Sequence, residues 1–165
     1  GTFVTNLPVA RLTSFASTRD VASYLRCLEV RLPLEGVAAR HAAERRSPEA
    51  LARIEATHES FRSEVGRGTF SSDSDLAFHS AIAEATGNEF FALTLRSLNE
   101  AISGFMNLSL NLTRTGSAER ARQVLEEHTR IVEAIRGQDP DGAALAMQYH
   151  ISQARRRLVD RSREA

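Results

Sequence analysis

The chain has 165 residues, 42% of them apolar, enough for one domain with a real core and no need of a staple. Its 21 basic residues are all arginine and are balanced by 21 acids, so this segment has no net field with which to hold a polyanion such as nucleic acid. Cys27 is the single cysteine, which excludes an intramolecular disulfide, and no run is apolar enough for a membrane span or signal peptide; a reducing cytoplasm is the expected location.

Residues 1–17 differ from the rest. Gly1-Thr2-Phe3-Val4 is short and β-prone, and Asn6 to Ser17, with Pro8 inside it, reads as a linker, so a preceding unit is expected. Helical periodicity dominates residues 18–165. Thr18 or Asp20 caps a first helix with apolar Leu25, Val30, Leu34, Val37, Ala38 and Ala42, which Pro33 should kink or split. Ser47-Pro48-Glu49 opens a second, to about Val65, and Gly66-Arg67-Gly68 ends it. The third runs from Ser72 or Asp73 to Ala85, closed by Gly87-Asn88. The fourth, from near Asn88 to Leu110, is apolar nearly all round and is expected at the centre. A fifth (about 118–136) and a sixth (about 140–161) flank the turn signal Gly137-Gln138-Asp139-Pro140-Asp141-Gly142. No run alternates as a strand would. The fold class is all-α, an antiparallel bundle of about six helices with a central metal site.

The metal site follows from spacing. Asp75 and His79 are four apart, so they lie on one helical face about one turn from each other. His128 and His150 are each eleven residues from Asp139, so an antiparallel hairpin would bring both imidazoles to one level, about 15 Å from the turn. A single histidine on an apolar stripe is most often an ordinary core residue. Three of them converging with a carboxylate are better explained by a divalent cation, which stabilises the buried charge and takes up all the lone pairs. Three nitrogens and one oxygen suit zinc, nickel, iron or manganese, with zinc or nickel foremost, and leave coordination positions for an outside ligand.

Arg31 and Glu35 form an i,i+4 pair that reads equally as a structural salt bridge or as an inward guanidinium holding an anionic ligand beside the metal. His41 is expected to pack, His58 to be solvated, Arg155-Arg156-Arg157 to form a solvated face, and Glu84 and Glu127 to sit on outer faces. Dimetal Glu-x-x-His pairs are absent, since Leu76, Leu125 and Met147 stand three before the histidines; phosphate loops and nucleophile elbows are absent too.

The pattern Asp75-x-x-Phe78-His79-x-x-Ile82-x-x-Ala85-x-Gly87-Asn88, then Glu127-His128-x-x-Ile131 and His150, resembles the C-terminal ligand-binding (FCD) domain of FadR-subfamily GntR-type transcription regulators. Arg31-Leu32-Pro33-Leu34-Glu35 and Ala42-Ala43-Glu44-Arg45 resemble that domain's opening helix, and the likeness covers about residues 18–160. His41, where the family pattern has a plain aliphatic residue, is a departure that bears on pocket shape. The resemblance implies that Asp75, His79, His128 and His150 are metal ligands and that the cavity takes a small carboxylate metabolite. It also implies a homodimer, and operator DNA bound through a winged-helix domain not contained in this chain, whose last strand Gly1–Val4 resembles. The expected function is therefore effector sensing by a regulator, not catalysis. The alternatives are a metal-dependent hydrolase or lyase working through water on the metal, and a metal that only ties helices together.

Overall fold

The computed structural model describes residues 21–69, 71–111 and 117–162. They form six helices: α1 (Val21–Arg45), α2 (Pro48–Arg67), α3 (Ser72–Ala85), α4 (Glu89–Asn111), α5 (Ser117–Arg136) and α6 (Pro140–Ser162). There is no strand among the described residues, and the fold is the all-α class that the periodicity predicts. The segment 1–17, with its expected strand and linker, lies outside them.

The helix limits follow the capping chemistry of the sequence. Ser47 Oγ accepts the Ala50 N–H at 3.0 Å with Pro48 at the first helical position, and Gly68, at φ 69°, closes α2 in the left-handed conformation. Losing the Ser47 hydroxyl leaves one N–H unsatisfied, at a cost of about 1 kcal/mol. Ser47→Ala is expected to lower the melting temperature by roughly 2–4 °C, and an unchanged thermal melt would show that this cap contributes nothing.

The α5–α6 turn is bound at both ends. Gly137 N–H bonds Glu133 O (2.9 Å), Asp139 N–H bonds Ala134 O (2.9 Å), and the Asp139 carboxylate receives the Gly142 N–H at 2.9 Å. A Cβ on Gly142 would lie 2.1 Å from the Asp139 carboxylate oxygen, so a larger residue there would make that carboxylate shift. The resulting hairpin is antiparallel, and α1 lies antiparallel to α6, with Arg40 near the end of α1 paired to Asp141 at the start of α6. Ala38, Ala39, Ala42 and Ala43 are fully buried on α1, where small side chains permit close packing. α2 packs on α3 and α5, and α4 on α3 and α1. Arg46, between α1 and α2, donates to Ile135 O (3.1 Å) and Arg136 O (2.9 Å), satisfying the last carbonyls of α5.

Two expectations are corrected. α1 is not split at Pro33: one helix runs through this exposed residue, whose missing N–H costs one backbone bond while buried residues on both sides keep the helix seated. Over residues 89–101 α4 is not central: Leu95 and Leu98 are buried, but Phe90 is 68% and Leu93 50% exposed, because one flank of this stretch meets α1 and α3. The centre is instead built from Ile54, Phe78, Ile82, Ile131, Met147 and Ile151.

Candidate metal centre

Four side chains from α3, α5 and α6 converge inside this core. One ligand atom each from Asp75, His79, His128 and His150 lies within 4.8 Å of all the others. Asp75 Oδ1 is 3.3 Å from His128 Nε2, Asp75 Oδ2 is 3.9 Å from His79 Nε2, and the Nε2 atoms of His79 and His150 are 3.1 Å apart. The hairpin delivers the register: the His128 and His150 ring centroids are 4.8 Å apart. His128 is stacked on Phe78 at 4.1 Å and tilted against Phe61 at 5.0 Å, which fixes its ring plane.

The donor set fits a metal on its hydrogen bonding. His79 Nδ1 donates to Glu35, and His150 Nδ1 donates to Glu127 Oε2 at 2.7 Å. With these protons on Nδ1, both Nε2 atoms present lone pairs to each other, an arrangement that only a cation or proton between them relieves. Neither nitrogen of the wholly buried His128 has a hydrogen-bond partner; its Nε2 lies near Asp75 but outside hydrogen-bonding geometry. Such an orphan is costly unless an ion takes its lone pair.

Charges around the cluster are fixed by their neighbours. Burial would raise the Asp75 carboxyl, but His128, His79 and His150 outweigh it and hold it well below the usual carboxylate range. Burial pushes His128 down to about 3, and also lowers His150 against the pull of Glu127. The Asp75 side chain is 19% exposed while those of His79 and His128 are sealed, so the site opens on the Asp75 side. On α1 the Tyr24 hydroxyl is pushed up to about 12, by burial first, with the Asp75 charge among the groups that act on it.

Arg31 and Glu35 are both 2% exposed, so the pair is a buried salt bridge and not a surface one. Arg31 Nε donates to Glu35 Oε1 at 2.5 Å, while its Nη2 is buried with no partner. Burial opposes the Arg31 charge, but Glu35 outweighs it and keeps the guanidinium protonated.

A model of the FCD domain matches residues 26–153. The chain belongs to the FCD domain family. It is 34% identical over 133 residues to the galactonate operon transcriptional repressor of Escherichia coli K12, covering 80% of this chain and 56% of that protein. It is 32% identical over 125 residues to an E. coli K12 protein named for regulation of the L-lactate dehydrogenase operon, covering 76% and 47%. Among solved structures, Streptococcus agalactiae GntR is similar over 93% of this chain and 62% of that one, with 26% identity and a TM-score of 0.63. The chain thus spans about half the length of the relatives it matches in sequence. Those relatives are transcription regulators, not enzymes, which removes the ground for the hydrolase or lyase alternative.

Several residues of this FCD domain lie elsewhere than expected. Glu127 is not on an outer face: it is buried and joins His150 to Arg157, whose two terminal nitrogens reach it at 2.7 and 3.1 Å. Arg157 is thereby drawn out of the solvated face, where Arg155 and Arg156 remain. The turn symmetry that pairs His128 with His150 sets Glu127 level with Ile151, so the spacing alone does not announce the Glu127–His150 contact. His58 is 5% exposed rather than solvated, because α2 meets α5 there; its Nε2 is 3.2 Å from Thr129 Oγ1. His41 packs edge-on against Phe91 and also pairs with Glu44 at 2.9 Å. Glu84 is exposed, as expected.

Proposed function

We propose that this FCD domain is the effector sensor of a bacterial FadR-subfamily GntR-type regulator, holding a divalent transition metal on Asp75, His79, His128 and His150. Zinc and nickel suit the donor set best. The effector is a small carboxylate bearing a neighbouring hydroxyl: one oxygen completes the metal shell and the carboxylate pairs with Arg31 Nη2. The observation that carries this reading is the unpartnered, buried nitrogen of Arg31, whose guanidinium Glu35 ties to His79, one of four converging ligand residues. Galactonate and lactate, the acids in the names of two relatives, are both 2-hydroxy acids, which supports the class. In the whole protein, residues 1–17 would be the end of a winged-helix domain and its linker. A homodimer would place two such heads on a near-palindromic operator in the cytoplasm, effector binding shifting their spacing.

Calorimetry tests the ligand class. Across L-lactate, galactonate, other sugar acids and dicarboxylates, at least one hydroxy acid is expected to bind. Its affinity is expected to fall by roughly tenfold or more, about 1.4 kcal/mol, on metal chelation and again in Arg31→Ala. Equal binding to the metal-free protein and to Arg31→Ala would make the metal a structural tie and the pocket some other chemistry.

A further inference from the structure

Two of the three imidazoles rest on buried carboxylates, and those carboxylates are anchored to different things. Glu127 holds His150 Nδ1 and is itself held by Arg157, which borders an open cleft of about 290 Å³ between α5 and α6. That chain of contacts leads away from the site to solvent. Glu35 divides its two oxygens: Oε2 receives His79 Nδ1–H, and Oε1 receives Arg31 Nε–H. Here the contacts lead from one metal ligand, through one carboxylate, to the buried guanidinium whose Nη2 is unused.

Resting on the proposed reading of this site, we propose that Glu35 is a positioning residue that couples metal occupancy to the anion-binding state of Arg31, whereas Glu127 serves the metal alone. A cation on His79 Nε2 makes the Nδ1 proton more acidic and draws Glu35 charge toward the imidazole. Less of that charge remains on the oxygen facing Arg31, so the guanidinium attracts an outside carboxylate more strongly. A carboxylate on Nη2 conversely weakens the hold of Arg31 on Glu35, which becomes a better acceptor for His79. The two effects are one linkage and must be equal in free energy.

Zinc alone is a sufficient probe. Its affinity for the 165-residue chain, measured by competition with a chromophoric chelator, is expected to fall ten- to a hundredfold in Glu35→Gln and in Glu127→Gln alike. Adding Arg31→Ala is where the carboxylates part: it should change zinc affinity about fivefold or more in Glu127→Gln, and less than about twofold in Glu35→Gln. Where Arg31→Ala fails to fold, Arg31→Lys, which keeps the charge and gives up the Nε contact, is expected to show the same pattern. An equal effect of the Arg31 change in both backgrounds overturns the coupling while leaving the metal site intact. No zinc uptake by the unsubstituted chain overturns the metal reading, and the coupling with it.

Discussion

Purified without a polyhistidine tag, the chain is expected to carry close to one divalent transition metal per molecule, and to lose roughly 5–10 °C of melting temperature on chelation. A ligand present at a hundred times its dissociation constant stabilises by about 2.7 kcal/mol, and each kcal/mol corresponds to about 2–4 °C for a chain of this size. His128→Ala and His150→Ala should each reduce the metal content sharply. Both also remove packing, since His128 is wholly buried between Phe61 and Phe78. Lower stability alone therefore does not identify the metal; the deciding result is that chelator no longer moves the melting temperature of either variant. Full stability of the unsubstituted protein with no metal in elemental analysis would refute the site.

Much of this architecture is legible in the sequence because the chain is punctuated by residues with one conformational meaning. Ser47-Pro48, Gly87 and the Gly137–Gly142 turn mark helix limits that tertiary packing has no reason to move. His128 and His150 are legible for a related reason: an antiparallel hairpin converts distance from a turn into height, while Asp75 and His79 share a helical face through their spacing of four. What escapes is information about which side of a helix is covered. α4 is apolar on almost every face, so periodicity gives it no outward direction, and the exposure of Phe90 and Leu93 follows only from where its neighbours lie. Glu127 and His58 sit on polar stretches, and their burial depends on a partner helix meeting them. Nothing local indicates that Glu35 reaches His79, 44 residues away.

Metal-free protein is expected to lose stability steadily as the pH falls from about 6.5 toward 4.5. His128 has its folded-state value depressed to about 3 by burial, so in this window the unfolded chain binds a proton that the folded chain refuses. Stability therefore rises with pH wherever the unfolded state holds more protons, and is fully present only above the unfolded value near 6.5. The loss over two pH units is on the order of 2 kcal/mol from His128, and His150, lowered in the same direction, adds to it. Asp75 and Glu35, the latter held at about 2 because Arg31 and His79 outweigh its burial, lose their contribution only below about pH 4. Urea titrations at a series of pH values in chelator measure this; a midpoint constant between pH 7 and 5 would contradict the refusal of protons by His128.

The doubly capped turn between α5 and α6 has an implication for how this chain can vary. Exposed turns ordinarily absorb insertions and deletions without harm. Here every residue from Gly137 to Gly142 lies between one helix's final bonds and the next helix's cap, so the loop has no slack to take up an extra residue. A one-residue change in length must pass into a helix, turning it by about 100° and swinging His150 off the face that meets His128. The surface loop should therefore accept many changes of letter but none of length, an indel constraint imposed by a site buried several turns below it.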